Sequence, residues 1–196
     1  MVGFKITPIG LGLDYTNVAN FGKIDLSGLS AVTASGPGGG AIALRGGNVT
    51  LRDRASLVSD TFGSINGQNI TIQAQQLQLF NRSFIAAGTF GEGGGGNLIV
   101  NATDKIEVTG VDFAEYQHNA FPPLEESTSI PERLTGFYAG TFASGTGGNI
   151  AINTRQLNLV GSVLIDSPAY SSGQAGNINI RGIAAKCCRS RGVNCG

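Results

Sequence analysis

The residues Ala41, Asn69 and Asn97 stand 28 apart in the chain, and so do Asn149 and Asn177. Each begins a short aliphatic run. The full set is Gly40-Ala41-Ile42-Ala43-Leu44, Gln68-Asn69-Ile70-Thr71-Ile72, Gly96-Asn97-Leu98-Ile99-Val100, Gly148-Asn149-Ile150-Ala151-Ile152 and Gly176-Asn177-Ile178-Asn179-Ile180. A fixed period of this size predicts a solenoid, in which each repeat stacks on the one before it. One interval departs: Asn97 to Asn149 spans 52 residues, one period of 28 plus 24.

Within a period the apolar spacing is two. Ile42, Ile70, Leu98, Ile150 and Ile178 share one position, and Leu44, Ile72, Val100, Ile152 and Ile180 the next but one. Residues two apart lie on one face of a strand. Val49/Leu51, Leu77/Leu79, Ile106/Val108 (shifted by one) and Leu157/Leu159 make a second strand, and Leu57, Ile85 and Ile165 mark a third. Lys23-Ile24-Asp25-Leu26 and Ala31-Val32-Thr33 read as a partial first coil. Helical hairpins need apolar spacings of three and four, and Gly and Asn interrupt this chain too often for them. A hairpin meander has no reason to place Ile over Ile and Asn over Asn at a constant interval. The expectation is an all-β parallel β-helix, about 28 residues and three short strands per coil, over residues 21–182. Residues 1–20 form an irregular N-terminal segment, an inserted loop occupies 110–135, and 183–196 are a disordered tail.

Two surface columns follow from the register. Asn69, Asn97, Asn149 and Asn177 are expected to form an amide ladder at one corner, the alternative being simple turn preference. Phe62, Phe90, Phe142 and Tyr170 share another position. Rings stack on sugar faces, but a column of this kind is expected as core or as a covered corner.

The insertion is the most individual stretch. It holds the only His and three of the six Pro. Its candidate interaction residues are Asp112, Phe113, Tyr116, His118, Phe121, Glu125, Glu126 and Arg133. Insertions in solenoids leave at bends and project from one face, and loops carry function more often than cores. The competing reading is a tolerated excursion without a partner.

Composition excludes more than it proposes. Thirteen basic residues balance thirteen acidic ones, so nothing marks a nucleic-acid surface. No apolar run reaches the 18 or so residues of a membrane span. The opening Met1 to Gly10 is a poor export leader, so if the parent protein is exported this chain is expected to be an internal fragment or to have lost its leader. The first 186 residues contain no Cys, as is common in bacterial proteins that fold outside the cytosol. Cys187, Cys188 and Cys195 sit together at the end, too few for a zinc site without a distant His. No column holds a stacked carboxylate series. Asp53, Asp60 and Asp166 occupy different columns, with Asp60 and Asp166 open to being near neighbours on one face. Gly91-Glu92-Gly93-Gly94-Gly95-Gly96 lacks the Gly-Lys-Ser/Thr of a phosphate loop. No catalytic, cofactor-binding or metal-binding residues are expected.

Gly-Asn-Ile-x-Ile, then Leu-x-Leu, then a Ser-x-Ile-like strand, then Thr-Phe-Gly and a glycine return resembles the repeat region of filamentous haemagglutinin-type exoproteins of the cyanobacterial kind. The resemblance covers roughly Phe21 to Arg181. It implies a right-handed β-helix, export by an outer-membrane two-partner secretion transporter, a place outside the cell or on its surface, and adhesion to a cell-surface glycan or protein receptor. The expected function is a non-catalytic structural and adhesive segment. The alternatives are a carbohydrate-active β-helix of pectin-lyase type and a truncated fragment without independent function.

Overall fold

A computed structural model describes residues 3–7, 10–14, 18–111 and 134–188, with side chains placed for 18–111 and 134–182. The described residues are all β, with no helix. After an antiparallel pair, β1 (Gly3–Thr7) and β2 (Gly10–Asp14), every strand pairs in parallel with its equivalent one coil away. The hairpin falls within the segment expected to be irregular, where no 28-residue period marks it.

Coil one contains β3 (Ile24–Leu26) and β4 (Ala31–Thr33). Coil two contains β5 (Ile42–Arg45), β6 (Asn48–Leu51) and β7 (Ser56–Val58), the three strands of the period. Coil three has β8 (Ile70–Phe80) and β9 (Phe84–Ala86), coil four β10 (Leu98–Thr109) and β11 (Thr135–Tyr138), and coil five β12 (Ile150–Val160) and β13 (Val163–Asp166). A final strand, β14 (Ile178–Cys188), opens a sixth turn. One sheet runs β14-β12-β10-β8-β6-β3, with β5 also on β8, and a second runs β13-β11-β9-β7-β4. The stack is a β-solenoid of about five turns.

From β8 onward the first and second strands of the period join into one hydrogen-bonded ribbon. The apolar parity records the join. Ile70, Ile72 and Ala74 are buried, and then the buried positions shift by one to Leu77 and Leu79. Period-two alternation cannot supply both sets without a slip, so the inward face changes there while the ladder continues. In β10 the slip carries an extra residue. Ala102 pairs Ala74 and Lys105 pairs Gln76, leaving two residues opposite one. This bulge accounts for the one-residue displacement of Ile106 and Val108 in the sequence.

The core is a set of columns. Ile70, Leu98 and Ile150 lie in register, as do Leu77, Ile106 and Leu157, and all are at most 3% exposed. Phe137 joins Leu57, Ile85 and Ile165 in the second sheet. The insertion hides that match in the sequence. Burying each large aliphatic contributes about 1.5–3 kcal/mol, so one coil carries most of its own cohesion with its neighbours. The tail is partly strand. Ala185 pairs Leu157 and Cys187 pairs Leu159, so small residues take the expected Leu-x-Leu register and β14 extends through Cys188. Residues 189–196, Cys195 included, lie outside the described residues.

Candidate functional site

Three lines of side chains run along the stack at its corners, and they differ in what they leave exposed. At the first corner the Asn ladder is complete. The backbone N–H and Nδ2 of Asn97 both donate to Oδ1 of Asn69, at 3.1 and 2.9 Å. Asn149 repeats this on Asn97 at 2.9 and 3.0 Å, and Asn177 on Asn149 at 2.8 and 3.2 Å. The alternative of bare turn preference is therefore set aside. The glycines before these residues are steric requirements: a Cβ on Gly148 would collide with the Gly96 carbonyl oxygen, and one on Gly176 with that of Gly148. With every amide engaged along the axis, this corner is an axial clamp with little left to offer a ligand. A single link of the same type, Asn153 Nδ2 to Asn101 Oδ1 at 2.9 Å, lies within the sheet.

The aromatic column lies at a second corner, and here the expectation of a covered position is corrected. Phe62, Phe90, Phe142 and Tyr170 are 57, 41, 48 and 64% exposed. Their backbones follow a buried threonine column, Thr61, Thr89 and Thr141, linked rung to rung by single bridges. The rings cover one another instead of being covered by the chain. Phe90 and Phe142 are parallel within 2° at 4.8 Å, Phe142 and Tyr170 stack at 4.9 Å, and Phe62 tilts against Phe90 at 5.8 Å. Offset stacks of this kind add about 0.5–1.5 kcal/mol per pair, which compensates for rims left in water. A sugar platform needs a free ring face. Phe90 and Phe142 have both faces turned to neighbouring rings, so the column works mainly as a ladder.

The third corner is the bend between the two sheets. In coils one to three it is a four-residue turn with both central residues at positive φ: Gly28-Leu29 (61°, 64°), Asp53-Arg54 (58°, 65°) and Asn81-Arg82 (48°, 63°). The closing bonds are Ser30 to Ser27, Ala55 to Arg52 and Ser83 to Phe80. These are type I′ turns, which favour Asn, Asp or Gly first and Gly second. The first positions comply. The second positions carry Leu29, Arg54 and Arg82, each at a cost of roughly 1 kcal/mol relative to a relaxed backbone. In coil five Gly161 bends the chain with φ 76°. In coil four the insertion departs from this bend, after Val111 and before Leu134.

A groove of about 430 Å³ lies along this bend, lined by Leu29, Asp53, Arg54, Asn81, Arg82 and Val111. Asp53 is engaged from two sides, by Arg52 Nη1 at 3.0 Å and Asn81 Nδ2 at 2.9 Å. Arg52 also meets Asp25 at 3.2 Å, and Lys23 reaches Asp25 at 3.0 Å. The hydrogen bond from Lys23, then Arg52, holds the Asp25 carboxyl below its ordinary range, and Asp25 raises the Arg52 guanidinium in return. Lys23 and Arg52 thus pair with Asp25 and Asp53 at this end of the bend, and Arg54 and Arg82 stand beside them. The sequence reading took Asp53 alone and passed over the two arginines. Their signal was the acid- or amide-then-Arg pair at one offset in consecutive repeats. The eight loop candidates, Asp112, Phe113, Tyr116, His118, Phe121, Glu125, Glu126 and Arg133, lie outside the described residues.

The carboxylates examined for sugar chemistry are far apart. Asp60 Oδ1 accepts from Gly88 N at 2.9 Å, which places Asp60 in the column of Gly88, one position before the threonines. Asp166 lies in the column of Tyr138 and Ala86, three coils further on. Three rungs are about 14 Å, so the two do not converge. Burial raises the Asp166 carboxyl above its usual value. Among the described residues no group of three His, Cys, Asp or Glu side chains is placed to hold a metal, and no helix is long and apolar enough to cross a membrane. A scan against protein-family models gives no match, and neither do searches of curated proteins and of solved structures.

Proposed function

We propose that this chain is a rigid, non-catalytic stalk segment of a surface-displayed adhesin of the filamentous haemagglutinin kind. The observation that supports this most directly is the continuity of the columns. The Asn ladder and the ring ladder both run across the coil that carries the insertion. Their regularity serves axial stiffness. The sequence resemblance adds the biological setting: export through an outer-membrane two-partner secretion transporter, and a glycan or protein receptor at a cell surface.

The decisive test has two arms. The protein is displayed on cells and scored for attachment to surfaces, and the purified chain is incubated with acidic polysaccharides. Attachment without any release of sugar ends is the expected result. Release of unsaturated or reducing ends, lost in Asp60→Asn or Asp166→Asn, overturns the proposal in favour of a pectin-lyase type of activity.

A further inference from the structure

The last described coil leaves its core open. Ile178 and Ile180 stand in the columns of the fully buried Ile150 and Ile152, yet they are 44 and 42% exposed. At the other end of the stack the matching Ile42 is 7% exposed, so the opening is confined to one end. The main chain opens there too. At each Asn corner the N–H after the Asn donates to the next coil, from Ile70 to Asn97 O, Leu98 to Asn149 O and Ile150 to Asn177 O. The same register turns the N–H and C=O of Ile178, and of Ile180 two residues on, off the end of the stack. Among the described residues β14 pairs only with β12. Asn177 adds an acceptor. Oδ1 of Asn69, Asn97 and Asn149 each takes two bonds from the next coil, and Oδ1 of Asn177 takes none among the described residues.

A strand edge of this kind pairs with another strand, and this one is its own complement. A second β14, turned antiparallel about Asn179, sets Ile178 of one copy opposite Ile180 of the other. Their outward N–H and C=O groups then exchange both bonds, as the hydrogen-bonded pairs of an antiparallel ladder do. Asn177 and Arg181 fall opposite each other in the closer, non-hydrogen-bonded pairs, where the guanidinium donates to the unused Oδ1. At the dyad Asn179 meets Asn179, amide to amide. We infer that two copies of this chain join end to end through β14, as a closed dimer with two-fold symmetry. Covering Ile178 and Ile180 in both copies supplies the gain, and the polar pairs fix the register. Head-to-tail stacking matches less well. It would set Arg45 over Arg181, like charge over like charge, and it would bring to the open columns an Ile42 that is already covered. The inference goes beyond the stalk reading and does not rest on it.

The test is sedimentation velocity of the full chain at low salt, from about 1 μM to about 1 mM. An equilibrium between monomer and dimer that stops at two copies is expected. Asn179→Asp and Asn179→Lys each place like charges directly opposite one another across the dyad, and each should weaken the dimer about fivefold or more. An equimolar mixture of the two variants brings opposite charges together and should restore association. Asn179 makes no hydrogen bond within the stack among the described residues, so both variants should keep the parent's melting temperature when dilute. A chain that stays monomeric through about 1 mM overturns the inference. So does assembly that grows past two copies, the mark of head-to-tail stacking, or a mixture that associates no more tightly than its components. Attachment and sugar release are read in separate assays, so the stalk reading stands or falls apart from the dimer.

Discussion

The Asn corner and the bend between the sheets are both turns repeated once per coil, yet they treat sequence in opposite ways. At the Asn corner every rung from coil three onward repeats the same residue, because each amide is bound by the next and each preceding Gly is pressed against a carbonyl. At the bend the rungs read Gly-Leu, Asp-Arg, Asn-Arg, an insertion, and Gly-Ser. The rungs there are joined through the main chain, from Leu29 N to Asp53 O and from Arg54 N to Asn81 O, so the bend holds its register without one repeated side chain. A solenoid therefore separates two tasks. One corner maintains register, and another is open to variation.

The contrast can be broken most directly by steric load. Gly148→Val at the Asn corner should cost on the order of 3 kcal/mol in urea denaturation, the range of overpacking with backbone displacement. Ser162→Ala at the bend should stay within about 0.5 kcal/mol. Similar costs at both sites would remove the distinction. A finer version compares rungs. Asn97→Ala removes one amide donor and an acceptor used twice, and should cost about 1–2 kcal/mol, while Asn177→Ala removes only the amide donor and should cost roughly half as much. The ring ladder gives a parallel pair. Phe142→Ala breaks two stacks and Phe62→Ala one, so thermal melts should show the larger shift for Phe142, by about 1 kcal/mol.

The smallest effects are electrostatic. Hydrogen bonds from Lys105 and then Gln78 lower the Glu107 carboxyl. The folded state therefore gains stability from Glu107 above the ordinary carboxylate range, and that gain is lost as pH falls through the lowered value. Glu107→Gln should flatten the acid limb of the stability curve. Asp166 carries the opposite sign. Its raised value weakens the fold where both states are ionised, and the penalty fades as pH falls through the raised value and is gone below the ordinary one. Asp166→Asn should stabilise slightly at neutral pH. Stability measured against pH for both variants checks the two signs.

Much of this fold was legible because stacking writes itself into sequence. Ile70 over Leu98 over Ile150 required only counting, and the displaced Ile106/Val108 pair was visible as a shift whose cause, the bulge in β10, was not. The amide ladder was legible for the same reason. Exposure of the Phe62–Tyr170 column was not, because burial by neighbouring rings and burial by the core demand the same residues. The hairpin at Gly3–Thr7 and Gly10–Asp14 has no repeat partner to reveal it. Arg54 and Arg82 were missed because the acid- or amide-then-Arg pair that marks them recurs in only two coils. Phe137 was hidden by the change in spacing.

The insertion has a thermodynamic side. It lengthens the loop closed between equivalent rungs from 28 to 52 residues. Chain statistics put the added closure entropy at only about 0.5 kcal/mol, less than one ring stack contributes. A coil held by its neighbours along the axis can thus acquire new surface at its bend with almost no loss of cohesion. Such elaboration is limited by what the added segment does, since the stack itself hardly resists it.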